Sequence, residues 1–403
     1  MKRPLKIALV TTTRADWGIL APLARALECH DDVRLTVLVG NMHLLPKFGM
    51  TVNEIEKENF NDVRRLETNV PSDDDTAYAN ALLTGAMTEA AARAFREAEP
   101  DMVLLLGDRF ETLGIATAAA IMTIPIVHLH GGEISAGAND DSFRHAISKL
   151  ATLHFTATER SRDRLLAMGE QPDRVFHVGA LGVTNALTIP VMTLDEINSS
   201  LDGFVIEPDR TILVTYHPVT LDPDGRDPIR QLNELLDAFD RFPELKILFT
   251  YPNNDAGGRR IIDRIEEYGA ANPGRVKVVP SLGQRRFLST LRYVKAMVGN
   301  SSSGILEVPS AGAVTIDIGT RQLGRERAAS VVNVPVEADS IARVIGEVLS
   351  GKILPLSDPE DNPYYRPDTL ERMVEIFTTA DPSALHIKLF NEQLREQSEN
   401  QTL

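Results

Sequence analysis

Two doubly wound α/β units facing each other across a cleft are the fold this sequence predicts. Three observations predict it. Short β-branched runs alternate with longer helical patterns along most of the chain, several of those runs are continuously apolar, and the alternation loosens once, around 182–196, before starting again. A continuously apolar run is what a strand buried on both faces of a parallel sheet requires. A βα alternation that occurs twice reads as two Rossmann-like sheets of the same architecture. The chain length of 403 residues agrees, because it exceeds what one ordinary hydrophobic core holds.

In the first series the expected strands are 7–10, 35–39, 102–106, 126–129, 153–156 and 175–178, with helical patterns at 17–27, 76–95, 111–122 and 160–168. The second series has strands at 212–215, 247–250, 276–279, 296–298, 314–318 and 331–334. The expected domains are therefore 1–185 and 186–366. A C-terminal stretch, 367–403, is expected to carry a helix from 368 to about 389 that packs back on the N-terminal unit, followed by a polar, frayed tail from 393.

Charge and composition exclude several classes. Lys+Arg number 42 against 57 Asp+Glu, a formal charge of −15, which opposes nonspecific binding to nucleic acid or to an anionic membrane. The single cysteine, Cys29, excludes an internal disulfide framework and a multi-thiolate metal site. The apolar run at 5–10 is too short for a signal h-region. The stretch 115–127 is broken by Thr117, Thr123 and Pro125 and falls short of a membrane span. A soluble, cytoplasmic protein is the expectation.

In open α/β sheets ligands bind beyond the carboxyl ends of the strands, so the residues after each strand carry the functional question. After the first strand, Thr11–Gly18 reads TTTRADWG: either a βα loop with Asp16 capping the helix, or an anion site strengthened by Arg14. Asp108 and Arg109 follow the next inner strand in GDRFE, as a cap with a solvated arginine or as charged groups facing a cleft. The densest polar cluster is HLHGGE, with His128, His130 and Glu133, followed by NDDSFRH, with Asp140, Asp141 and His145. Carboxylates and histidines gathered in one loop suit general acid–base chemistry, because repulsion and burial split their pKa values. A rival reading makes His128, His130 and Glu133 a metal site, with both histidines on one strand face. No second ligand pair accompanies it, and the expectation is no metal.

In the second series His217 follows the first strand and Asn253 lies in PNNDAG after the second. The turn GNSSSG, with Ser301 and Ser302, opens a helix and offers free amides and hydroxyls to a diphosphate, or simple capping. It lacks the lysine of a Walker A loop, which excludes that NTPase reading. Glu307 suits a ribose diol, and Arg321 in GTRQLGR is a second cation.

Together TTTRADWG, GDRFE, HLHGGE, NDDSFRH, PNNDAG, GNSSSGILEVPS and GTRQLGR, in that order over about residues 7–335, resemble the hydrolysing UDP-N-acetylglucosamine 2-epimerases of sialic-acid biosynthesis. The resemblance implies a glycosyltransferase-B-like fold, a homodimer or homotetramer, a nucleotide-sugar substrate, no nicotinamide or other cofactor and no required metal. It implies UDP contacts from Arg14, Arg109, His217, Asn253, Ser301, Ser302, Glu307 and Arg321. Acid/base work would fall to Asp108, Glu133 and Asp140, with His130 close behind and His217 beside the leaving group. Many relatives carry a glutamate with an acid/base role at the position of His130, so here either His130 or Glu133 takes over that proton transfer. Asp141 is expected to be a spectator, capping a helix that begins near Ser142.

The reaction so implied is UDP-N-acetylglucosamine plus water giving N-acetylmannosamine plus UDP. The alternatives are the same chemistry on a UDP-2,4-diacetamido-2,4,6-trideoxyhexose or a GDP-linked donor, a glycosyltransferase of the same fold, or a nucleotide-sugar-binding module without turnover.

Overall fold

In the computed structural model, which describes residues 3–70, 74–222 and 225–391, two all-parallel sheets account for the two series. The first contains β1 (Leu5–Thr11), β2 (Val33–Gly40), β3 (Val63–Leu66), β4 (Met102–Leu106), β5 (Ile126–Leu129), β6 (Leu153–Thr156) and β7 (Val175–His177), in the order β3-β2-β1-β4-β5-β6-β7. The second contains β8 (Thr211–Thr215), β9 (Lys246–Thr250), β10 (Val276–Val279), β11 (Ala296–Gly299), β12 (Val314–Ile318) and β13 (Val331–Val334), in the order β10-β9-β8-β11-β12-β13. The order in which the chain adds strands reverses once in each sheet, between β1 and β4 and between β8 and β11. These are the switch points at which doubly wound sheets open a crevice.

Alternate residues of the central strands enter opposite cores, which is why their runs are apolar throughout. Ile7 and Leu9 join Leu20, Leu23 and Leu27 of the helix Arg14–Glu28, while Ala8 and Val10 join Met87, Ala91 and Phe95 of the helix Ala77–Ala98. In the second sheet Ile212 and Val214 face one cluster and Leu213 the other.

The helix Arg14–Glu28 starts earlier than the apolar pattern predicts. Thr13 and Asp16 form a reciprocal capping box there. The edge strand β3 has no counterpart among the expected strands, because VRRL carries two arginines where an inner strand would be apolar. The chain crosses between sheets through the helix Leu181–Thr188, in which Leu181 packs in a core of the first sheet and Ala186 in one of the second. A division between 185 and 186 falls inside this helix.

The C-terminal helix is shorter than expected. It spans Thr369–Thr379, then a second short helix, Pro382–Leu385, begins at a proline whose predecessor is disfavoured in α conformation. Met373, Phe377 and Leu385 pack in the same core as Ile7 and Leu9. The expected frayed tail, 393–403, lies outside the described residues. Among the described residues no helix is long and apolar enough to cross a membrane.

Candidate active site

The loops after β1, β4 and β5 face those after β8, β9, β11 and β12 across a cleft of about 290 Å³. The twelve residues to which the resemblance assigns UDP contacts or acid/base work all line it: Arg14, Asp108, Arg109, His130, Glu133 and Asp140 from the first unit, and His217, Asn253, Ser301, Ser302, Glu307 and Arg321 from the second; His128, Asp141 and His145 do not.

His130 follows directly on β5 but leaves its strand path. Its φ of +63° is left-handed, uncommon for a residue with a Cβ and a recurrent feature of functional sites. The alternation that would put His128 and His130 on one face therefore fails. His128 is fully buried, with Nε2 donating to the Gly107 carbonyl at 2.7 Å and Nδ1 near Ser148 Oγ at 3.1 Å. Burial pushes it down to about 3. With both ring nitrogens engaged, His128 is a structural histidine, and the shared metal face is corrected.

His130 Nδ1 lies 2.7 Å from Glu133 Oε1, so Nδ1 carries the proton and Nε2 the lone pair in the neutral ring. Nε2 is buried without a hydrogen-bond partner. The other Glu133 oxygen pairs with Arg325, a residue not singled out from sequence although it ends the motif GTRQLGR. Burial would raise the Glu133 carboxyl, but Arg325 and His130 hold it below the usual carboxylate range.

Asp108 pairs with Arg144, whose side chain is fully buried. Arg144 also donates to Ser135 Oγ at 2.9 Å and to the Glu133 carbonyl at 3.0 Å. Asp141 is not the cap expected of it. The helix is Asp140–Leu150, its first flanking residue is Asn139, and the Asp141 carboxylate accepts from the Ser135 N–H at 2.5 Å while pairing with Arg144 at 3.4 Å. It braces the loop that carries Glu133.

Asp140 pairs with Arg321 at 3.4 Å. Burial, and then the neighbouring Asp255, push its carboxyl up to about 6 against the pull of Arg321 and Arg109. Burial would raise Asp255 too, but Arg109, Arg321 and His217 hold it down, so of the pair Asp140 is the first to take up a proton as pH falls. Arg109 is held by Glu111 at 2.8 Å, Asp255 at 3.1 Å and Asn254 at 2.7 Å. Arg14 donates to the Pro280 carbonyl at 3.1 Å.

His217 is pinned by Asn300, whose Oδ1 accepts from its N–H and whose Nδ2 donates to its carbonyl at 2.7 and 2.8 Å. Its Nδ1 accepts from the Asn253 N–H at 3.2 Å, which leaves the proton on Nε2. Burial, with Arg321 nearby, pushes it down to about 3, so it is a neutral donor. Ser301 caps the helix Ser302–Leu306. Glu307 is buried with one oxygen unpartnered, and burial raises its carboxyl. Gly182 makes room for it, since a Cβ there would lie 2.4 Å from Glu307 Oε1.

A family model described as UDP-N-acetylglucosamine 2-epimerase matches residues 25–378. The chain belongs to this epimerase family. Among relatives, the GDP/UDP-N,N'-diacetylbacillosamine 2-epimerase (hydrolyzing) of Campylobacter jejuni is 36% identical over 329 residues, covering 81% of this chain and 84% of that one. The UDP-N,N'-diacetylbacillosamine 2-epimerase (hydrolyzing) of Legionella pneumophila is 36% identical over 387 residues, covering 96% of this chain and 98% of that one. Among solved structures, the UDP-GlcNAc 2-epimerase from Neisseria meningitidis bound to UDP-GlcNAc superposes with a TM-score of 0.73 at 16% identity, over 93% of this chain and 100% of that one. That likeness is one of fold, and it agrees with two Rossmann-like units in a glycosyltransferase-B-like arrangement.

In this epimerase the cleft residues are held by partners not singled out from sequence. Arg144, Asp255, Asn300 and Arg325 each fix a cleft residue from another loop. Their positions in NDDSFRH, PNNDAG, GNSSSG and GTRQLGR are the signal that pointed nearest to them.

Proposed function

We propose that this epimerase is a hydrolysing one, converting UDP-N-acetylglucosamine and water into N-acetylmannosamine and UDP. The observation that carries the reading is the pairing, in one cleft, of a buried imidazole nitrogen with an open lone pair, His130 Nε2, and a carboxyl pushed up to about 6, Asp140. A base with an open lone pair and a carboxyl whose pKa is raised are what a sequence of proton removal and proton return needs.

In an α-linked sugar the C2–H and C1–O bonds are antiparallel. His130 Nε2 takes the C2 proton, the electron pair forms the C1–C2 double bond, and the C1–O bond breaks to release UDP and 2-acetamidoglucal. Water then adds at C1, and Asp140 returns a proton to C2 from the opposite face, which leaves the acetamido group in the manno configuration. Asp108, fixed by Arg144, relieves the attacking water of its proton. Glu133 acts through His130. His217 Nε2–H and Arg321 stabilise the departing diphosphate, with Arg14, Arg109, Ser301 and Ser302 contributing charge and donors. Asn253 and Glu307 hold the nucleoside end. On this reading Arg109 exchanges its Asp255 contact for the ligand. The enzyme acts in the cytoplasm as a homodimer or homotetramer, without a cofactor.

The test is incubation in heavy water with product analysis. N-acetylmannosamine carrying one deuterium at C2, released with UDP and without any acceptor, supports the reading. An intact UDP-linked manno sugar would overturn the hydrolytic step, and a strict need for an acceptor would point to a transferase. The panel includes UDP-N,N'-diacetylbacillosamine, for which relatives are named.

A further inference from the structure

Arg325 stands in the loop after β12 of the second sheet, yet its guanidinium is buried in the first unit's loop after β5. There it pairs with the Glu133 carboxylate and donates to Ser135 Oγ at 3.3 Å. The two loops are fitted backbone to backbone. The Ala136 N–H donates to the Leu323 carbonyl at 3.2 Å. Gly324, at φ +95°, lies so close to Ile134 that a Cβ would sit 2.5 Å from its Cγ2. Glycine alone takes that backbone beside that neighbour without strain. Ser135 Oγ also accepts from Arg144, the arginine that holds Asp108. Around His130 the titratable or charged neighbours are Glu133 on its own loop, His128 on β5, and Glu307 and Arg325 from the second unit.

We propose that Arg325 is a positioning residue that couples docking of the second unit to the His130–Glu133 pair. The proposal rests on the acid–base reading given above. With Arg325 in place, one Glu133 oxygen is engaged by the guanidinium and the other accepts from Nδ1–H, which leaves the Nε2 lone pair in the cleft. Withdraw Arg325, and Glu133 becomes a buried carboxylate beside a neutral ring. A buried anion without a counter-charge draws one, and the proton that neutralises it settles on His130. The imidazolium so formed has no lone pair and cannot take the C2 proton. The base is thus competent when the two units are apposed, which confines deprotonation of the sugar to the assembled cleft.

Arg325→Gln, Arg325→Lys, Glu133→Gln and the double variant Glu133→Gln/Arg325→Gln test this in the full chain. Arg325→Gln is expected to lower kcat about 10²-fold, the lower end of what a positioned acid–base group contributes, with KM and UDP affinity within about threefold of wild type. The His130 ring, followed by NMR, then titrates at higher pH than in wild type. Arg325→Lys restores most of the rate. The double variant, which removes both buried charges and so keeps the fold, is no slower than Glu133→Gln alone. Wild-type kcat in Arg325→Gln, an unmoved His130 titration, or rate losses that multiply in the double variant would each overturn the proposal. A wild-type enzyme that releases no UDP from any 2-acetamido nucleotide sugar would overturn the functional reading instead, and the His130 titration would still decide the role of Arg325.

Discussion

Asp255 and Asp140 face each other from opposite units and share one guanidinium, with Arg321 Nη2 lying 3.7 Å from Asp255 and 3.4 Å from Asp140. Arg109, 3.1 Å from Asp255, adds a second positive charge, yet burial and the closeness of the two carboxylates still outweigh both arginines at Asp140. Asp140 is therefore the one of the two that takes up a proton as pH falls, its carboxyl pushed up to about 6 by burial and by Asp255.

If Asp140 is the proton donor to C2, kcat/KM declines as pH rises through about 6, because the donor is lost by ionisation. Asp255→Asn removes the like charge, stabilises ionised Asp140, and moves that decline to lower pH by about one unit. A pH–rate series on the two proteins checks this. A limb that rises with pH through the same range would make Asp140 a base.

Asp108→Asn keeps the shape of the side chain but removes the anion that Arg144 holds. The expected result is a loss of turnover of about 10²- to 10⁴-fold, with UDP affinity changed little, since the Arg144 pair lies apart from the diphosphate ligands. Rates near wild type would remove Asp108 from the chemistry. Isothermal titration with UDP alongside steady-state kinetics separates the two effects.

Ser302→Ala and Arg321→Ala act on the other half of the site. Each removes a donor to a dianion, worth roughly 1.5–3 kcal/mol for a charge-assisted bond, or about 10- to 100-fold in UDP affinity. Arg321→Ala should be the more damaging, because it also leaves Asp140 and Asp255 without their shared cation. Equal UDP affinity in wild type and Arg321→Ala would place the diphosphate elsewhere.

What is legible in such a sequence follows from how local the cause is. Ile7–Leu9–Val37–Leu104 sit in strands buried on both faces, where only apolar residues fit, so those strands announce themselves. β3 does not, because an edge strand tolerates Arg64 and Arg65. Cleft residues are legible as a class because they follow strands. Their partners are not, since Asp108 meets Arg144 at a separation of 36 residues and Glu133 meets Arg325 at 192. His130 shows a subtler limit: one left-handed residue ends the alternation from which a shared face with His128 would be inferred.

The far end of the helix Asp140–Leu150 carries a prediction about stability. Lys388, from the C-terminal stretch, donates to the carbonyls of Ser148, Lys149 and Ala151 at 3.0, 2.8 and 2.5 Å, which closes the end of the helix whose first turn holds Asp140. It pairs with Glu170 at 2.7 Å, and Glu170 also accepts from His154 at 3.0 Å and from Lys149 at 2.7 Å. Burial would raise the Glu170 carboxyl, but His154 and the two lysines hold it down to about 2. A carboxyl held below its unfolded value of about 4.3 contributes stability that is fully present above that value and is lost as pH falls through about 2. Glu170→Gln should therefore cost on the order of 3 kcal/mol at pH 7, a shift of roughly two pKa units, and lower Tm accordingly. The gap between the variant and wild type should narrow as pH is lowered from about 5 towards 2. Calorimetric melting across that range checks it, and a Tm difference that stays constant would mean that Glu170 contributes by packing instead of by charge.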